Sequence, residues 1–393
     1  MQLTIHRGAK QIGGCVTELS YGSHRVFIDI GENLRESDAP LLPIEGLTMG
    51  DVSYSALFLT HYHGDHMGRL PDVLPGVPVY MGDTAKELQL NYARRVEQHY
   101  PGYPALIERV SPFTPGKPVQ IGEIIVTPLM IDHSAFDAYM FLVEAGGVRV
   151  LHTGDFRLHG PRGGKTLRML RQYAKNINYL ICEGTMSREP AVRLTEWELG
   201  QEARRLMKDN KYVFVLCAST NIDRIAEFYH ANPTGRLFIC DAYQKSQLEI
   251  IRQGHGQLSP FYDFQHIYSY AHNLDGLMRE RGFYMLIKQN AQCANLLERY
   301  RGESLLIYSM WSGYLKGEAK NEGLAAFLHS YPLEFLHSSG HASPEDVVSL
   351  IDCVNPRNAV IPIHTDAPDT FKELLPGREV CLLVDGERFE LKR

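Results

Sequence analysis

The chain has 393 residues, 44% hydrophobic and 22% charged, and its 40 Lys and Arg against 46 Asp and Glu give a formal charge of −6. Such proportions exclude wholesale disorder and collagen-like repetition, and the length suits two domains of about 100 to 200 residues, each able to bury its own core. The mild acidity supplies no general field for nucleic acid, so binding of that kind needs a local patch.

The first residues, Gln2-Leu-Thr-Ile-His-Arg7, read as a strand rather than a secretory leader. No apolar run approaches the ~18 residues of a membrane span, which points to a cytoplasmic protein with no membrane contact. Further β-branched and aromatic runs follow at 25–30, 56–60, 77–81, 123–129, 139–145, 148–154 and 179–184. Turn signals such as Tyr21-Gly-Ser23 and Glu144-Ala-Gly-Gly147 separate several of them, so the first 160 residues are expected to form consecutive, largely antiparallel strands. From about 190 to 330 the helical stretches 196–208, 223–230 and 244–254 alternate with apolar strands, the pattern of βαβ units around a parallel sheet. The stretches 334–338 and 359–364 then resume the short-strand rhythm, with a helix starting near Pro344 between them. The expected architecture is α/β: a strand-rich domain in two parts, 1–187 and 329–393, interrupted by an α/β domain at 188–328. Cysteines at 15, 182, 217, 240, 293, 353 and 381 are odd in number and scattered, with no Cys-x-x-Cys, and read as reduced core residues.

The run Leu57-Phe-Leu-Thr-His61-Tyr-His63-Gly-Asp65-His66 is an apolar strand that ends in three imidazoles and a carboxylate. Imidazole and carboxylate suit Zn²⁺ and similar divalent ions. His61 and His63, two apart, can address one metal while the bend at Gly64 aims Asp65 and His66 at another. Surface histidines on a loop are the alternative, a poor one for four such groups in six residues after a buried-type strand. Four donors cannot fill two coordination shells, so more are expected at later strand ends, and His133, Asp155 and His364 each follow an apolar run. Singly each reads as a turn or capping residue; beside the first cluster they are the missing partners. Asp29, at the end of an apolar run before Gly31, is placed to orient a ligating imidazole.

His61-x-His63-x-Asp65-His66, with Asp29 before it and His133, Asp155 and His364 after it, resembles the metallo-β-lactamase superfamily over nearly the whole chain. The resemblance implies an αββα sandwich with two metals at its edge: His61, His63 and His133 on one, Asp65, His66 and His364 on the other, Asp155 bridging. Glu183 in Cys182-Glu-Gly-Thr185, His341 in Ser339-Gly-His-Ala342 and His364 in Ile361-Pro-Ile-His364 resemble motifs of the nucleic-acid-processing β-CASP branch, whose inserted domain the central α/β stretch would be. The run His337-Ser-Ser-Gly-His-Ala-Ser343 is similar to ribonuclease J. So is Asn221-Ile-Asp-Arg224 after Ser219-Thr220, where ribonuclease J holds a phosphate, although Asp223 stands in place of the usual histidine. The C-terminal domain that ribonuclease J normally adds is not expected here, which leaves the oligomeric state open.

For function, the resemblance implies a two-metal ribonuclease with zinc, or manganese, as cofactor. Asp65, Glu183 and His341 would serve as its catalytic groups. Its substrate would be single-stranded RNA, a 5′-monophosphate end favoured, digested 5′ to 3′ as an exonuclease with endonuclease activity as well. A carboxylate set against an imidazole near a phosphate favours the protonated ring, which can donate to a leaving 3′ oxygen; helix-end roles for Glu183 and His341 are the plainer reading. His337, Ser339 and Gly340 would form a nest for the 5′-phosphate, helped by Ser219 or Thr220. A DNA-directed nuclease is the alternative within the branch. Outside it stand a small-molecule metallohydrolase opening an ester, thioester or lactam, against which the α/β insert argues, and a catalytically silent RNA-binding relative. Six cations from Arg157 to Lys175 are either an RNA track or a solvated helix face, and the helical spacing of Arg168, Arg171 and Lys175 favours the face.

Overall fold

The computed structural model describes residues 1–34, 42–188, 194–317 and 319–393. The chain divides into two compact units, Met1–Ala191 with Gly340–Arg393, and Val192–Ser339 between them.

In the first unit β1 (Gln2–Arg7), β2 (Val16–Tyr21), β3 (His24–Ile28), β4 (Ser55–Phe58), β5 (Val79–Gly82) and β6 (Ser111–Phe113) lie in one sheet. A second sheet holds β7 (Val119–Ile121), β8 (Ile124–Ile131), β9 (Ala138–Ala145), β10 (Val148–His152) and β11 (Tyr179–Glu183). The second unit contributes β12 (Tyr212–Cys217), β13 (Leu237–Cys240), β14 (Ile267–Ser269), β15 (Phe283–Ile287), β16 (Ser304–Ser309) and β17 (Glu334–Phe335) to a third sheet. Finally β18 (Ala359–Ile363) extends the second sheet beside β11, and β19 (Arg388–Glu390) the first beside β1.

The expected antiparallel pairing holds for β1 to β3 and for β7 to β10. β3 through β6 pair in parallel instead, and the connections from β4 to β5 and from β5 to β6 carry the helices Gly64–Met67, Asp83–Val96 and Tyr103–Glu108. The insert also runs past 328. β17 pairs in parallel with β16, Phe335 beside Tyr308, and the Ser309 hydroxyl donates to Leu336 O at 2.6 Å, so residues 329–339 belong to the second unit.

Alternation along the strands builds two layers of core. On β9, Tyr139, Phe141 and Val143 join Val26, Ile28 and Phe58 of the first sheet, while Met140 and Leu142 join Leu170, Leu350 and Ile351 of the helices Gly163–Tyr173 and Pro344–Val354. A period of two in a sheet covered on both faces requires apolar residues at every position, which β9 shows through Val143. Each such side chain contributes about 1.5–3 kcal/mol by leaving water. Ser343 and Asp346 form a capping box that starts the second of those helices. This is an α/β sandwich.

Strand direction decides where its chemistry gathers. β8 and β10 are each antiparallel to β9, hence parallel to one another, and β10, β11 and β18 are mutually parallel. β3 and β4 are parallel as well. The polar residues that follow these strands therefore emerge at strand C-terminal ends, whereas β9 runs the other way.

The third sheet is parallel throughout, in the order β14-β13-β15-β12-β16-β17. In this unit the fully buried Arg224 makes a two-pronged ion pair with the equally buried Glu196, both contacts at 2.6 Å, and donates to Ser309 Oγ and Ser338 O. Among the described residues no helix is long and apolar enough to cross a membrane.

Candidate metal centre

Beyond β4 the chain passes through Thr60 and His61 to His63 and the short helix Gly64–Met67, which carries Asp65 and His66. His61 Nε2 lies 3.1 Å from His63 Nδ1, and His133 Nε2, just past β8, lies 3.3 Å from the same atom. His66 Nε2 is 3.3 Å from His364 Nε2 and 3.1 Å from Asp155 Oδ2, and Asp65 Oδ2 is 3.2 Å from His364 Nε2. Donors of a four-coordinate ion bound at about 2.0–2.1 Å stand about 3.3 Å apart. The pairs just given stand close to that spacing, and in both donor sets, His61 with His63 and His133, and Asp65 with His66, Asp155 and His364, the ligand atoms gather within 4.8 Å of one another; Asp155 Oδ2 also reaches within 3.9 Å of His61 Nε2.

The remaining ring nitrogens fix which lone pairs face inward. His133 Nδ1 donates to Gly340 O at 2.7 Å, leaving Nε2 as the acceptor. Asp29 receives Thr60 N–H and the Thr60 hydroxyl, each at 2.7 Å, and His66 Nδ1–H at 2.8 Å. With its proton given to Asp29, Thr60 Oγ1 accepts from His61 Nδ1 at 3.0 Å, so one carboxylate sets two tautomers. Thr185 Oγ1 does the same for His364, 2.7 Å from its Nδ1. Asp29 (φ 62°) and His364 (φ 51°) both hold the left-handed backbone that side chains disfavour, pinned by Phe58 O on Asp29 N–H and Gly8 O on His364 N–H.

The electrostatics call for a cation. Burial, then neighbouring imidazoles, holds His61 well below the usual imidazole range; burial, then His63, does so for His133, and burial lowers His63 to about 4. These three rings are neutral with lone pairs to offer. Burial opposes charge on His66 too, yet Asp155, Asp65 and Asp29 push it well up. Both carboxylate oxygens of Asp155 are buried without a hydrogen bond of good geometry; burial works against its charge, but His364, His66 and His341 hold the carboxyl well below the usual carboxylate range, so it faces the imidazoles as a charged donor. The residues therefore fit divalent cations.

Beside the donors, Glu183 at the end of β11 accepts Phe156 N–H at 2.8 Å and lies 3.2 Å from His341 Nδ1. Burial works against a charged His341, but Glu183 and Asp155 raise it to about 9. Asp155, Glu183, His341 and His364 form one cluster. His337, Ser339, Ser219 and Thr220 lie in the other unit: Ser219 and Thr220 follow β12, with Ser219 O accepting from Gln244, and Ser339 ends that unit. Arg157 is no part of a phosphate track, since it is fully buried on Asp132 at 2.8 Å. Lys165, Arg168, Arg171 and Lys175 are solvent-exposed, as a solvated helix face requires. Sequence reasoning missed Thr60, Thr185 and His152, whose Nδ1 accepts Gly154 N–H at 3.1 Å next to Asp155. A polar residue inside an apolar run was the one available signal.

A family model described as a beta-lactamase superfamily domain matches residues 24–242. The chain belongs to the beta-lactamase superfamily. A second model, a Zn-dependent metallo-hydrolase RNA specificity domain, matches residues 333–378. Among curated superfamily relatives, the chain is 23% identical to ribonuclease J of Mycoplasma pneumoniae over 97% of its own length and 72% of the relative's. It is 26% identical to that of Mycobacterium tuberculosis over 59% and 42%, and 21% identical to that of Helicobacter pylori over 100% and 61%. The chain thus spans less than two thirds of the last two relatives. A crystal structure of a protein of unknown function from Enterococcus faecalis V583 shares the fold, with a TM-score of 0.78 at 23% identity over 99% of both chains. Within that superfamily the chain is similar to ribonucleases J over most of its length.

Proposed function

We propose that this chain is a metal-dependent ribonuclease that hydrolyses RNA phosphodiester bonds at two divalent cations. One would be held by His61, His63 and His133, the other by Asp65, His66 and His364, with Asp155 between them. The observation that carries the reading is Asp155: a buried carboxylate, lacking good hydrogen bonds, faces both sets of imidazoles. Such cations lower the pKa of water to near neutrality and offset the charge of a phosphate.

The chain's own groups do the rest. Asp29 and Thr60 hold His61 and His66 so that their lone pairs converge, and Gly340 O does so for His133. Glu183 keeps the ring of His341 oriented and protonated, which suits His341 to protonate a leaving 3′ oxygen, a role worth about 10² to 10⁴ in rate. His337 and Ser339, with Ser219 or Thr220, all in the second unit, are the groups proposed to hold the 5′-monophosphate of single-stranded RNA, and 5′ to 3′ digestion is the proposed mode. Zinc suits the imidazole-rich donors, with manganese as the second candidate.

The test is elemental analysis paired with digestion of matched 5′-labelled RNA and DNA by wild type and an Asp65→Ala, His66→Ala double variant. Two equivalents of metal and RNA cleavage lost in the variant support the reading. Retained cleavage in the variant, or DNA cut in preference to RNA, overturns it.

A further inference from the structure

Cys15 precedes β2 and is 2% exposed, its Sγ within 4.8 Å of a ring nitrogen of His66 and of His364, which are likewise within that distance of each other. No other cysteine among the described residues shares a donor cluster of this kind. Its placement is tied to the backbone of the centre itself: Cys15 N–H donates to Asp65 O at 3.2 Å, and Gly31 N–H donates to Cys15 O at 3.1 Å. On the other side Gly8, at φ +112°, would bring a Cβ to 3.0 Å from the sulfur, while its carbonyl accepts His364 N–H at 2.8 Å. A glycine therefore leaves room for the thiol against the very segment that positions His364. A buried thiol needs no such company to serve as a small hydrophobe. Here its sulfur clusters with the imidazoles of His66 and His364.

Resting on the two-metal reading above, we propose that Cys15 donates a sulfur ligand to the cation held by Asp65, His66 and His364, and so biases that position toward Zn²⁺ over Mn²⁺. The thiol proton passes to solvent as the sulfur–metal bond forms, and no oxidant or reductant takes part. Thiolate is a soft donor that suits zinc, whereas carboxylate, carbonyl and water suit manganese, which gives the bias its chemical basis.

The experiment is X-ray absorption at the zinc edge on the full chain loaded with zinc alone, with Cys15→Ser as the comparison. Expected are two zinc equivalents and a sulfur neighbour at about 2.3 Å in wild type, absent in the variant. Zinc affinity of one equivalent should fall at least tenfold in the variant, with manganese affinity unchanged. Cobalt substitution of wild type should show a thiolate-to-metal charge-transfer band. These wild-type readouts stand even where the variant folds poorly. Two zinc ions surrounded by nitrogen and oxygen alone, or a sulfur neighbour retained in Cys15→Ser, overturn the sulfur-ligand assignment and leave the two-metal reading intact; a chain that binds no zinc overturns both.

Discussion

Asp29 Oδ2 accepts both the Nδ1 proton of His66, at 2.8 Å, and the hydroxyl of Thr60, at 2.7 Å. A single buried carboxylate thereby orients imidazoles from both donor sets, one directly and one through Thr60. Asp29→Asn keeps the shape but weakens the acceptor, and metal affinity should drop about 10- to 100-fold in a competitive chelator titration. Thr60→Val breaks only the arm to His61 and should weaken one equivalent. Equal loss at both equivalents in Thr60→Val would count against this division of labour.

Glu183→Gln removes the negative charge that favours protonated His341. The ring's pKa, raised to about 9 in the native arrangement, should fall, and the alkaline limb of the pH–rate profile should move to lower pH with it. His341→Ala should cost about 10² to 10⁴ in kcat with metal content unchanged. A profile that keeps its alkaline limb in Glu183→Gln would remove His341 from the proton-donating role.

The Arg224–Glu196 pair makes a separate prediction for stability. Arg224→Met strands a carboxylate in a dry interior and should cost about 3 to 5 kcal/mol in urea unfolding. Adding Glu196→Leu removes that stranded charge, so the double variant should be more stable than the single one. Additive losses would show that the pair is not coupled in the way its geometry demands.

Glu227, on the helix Ile222–Ala231, has its carboxyl pushed up to about 7 by burial and then by Glu196 and Asp223. A folded-state value above the unfolded value of 4.5 means that the folded chain holds this proton more tightly. Its contribution is complete below pH 4.5 and is lost as pH rises through about 7. The loss is on the order of 1 to 2 kcal/mol once partial solvent contact is allowed for. Thermal midpoints at pH 5 and pH 8 should therefore converge in Glu227→Gln relative to wild type; an unchanged gap would contradict the assignment.

What the sequence reveals about this molecule follows the range over which each feature is encoded. The grouping of His61, His63, Asp65 and His66 is local, one strand and one bend, and so is legible in ten residues. Asp29, His133, Asp155 and His364 are legible because each is a polar residue at the end of an apolar run. The tautomer-setting roles of Thr60, Thr185 and His152 depend on what lies across a sheet, and one chain read alone does not give that. The parallel pairing of β4 with β5 is hard to see in the sequence because a helix as short as Gly64–Met67 leaves little helical period. β17 was misplaced because a two-residue strand looks the same whichever sheet it joins. Arg157 read as a surface cation because its partner Asp132, 25 positions earlier, is visible only in the fold.

His66 and His364 stand 3.3 Å apart in space but 298 positions apart in the chain, with the whole of Val192–Ser339 between them. The first unit is therefore discontinuous: a fragment that stops before Gly340 keeps the histidine-rich turn but loses His341 and His364, so the donor set closes only after the polypeptide has returned from the second unit.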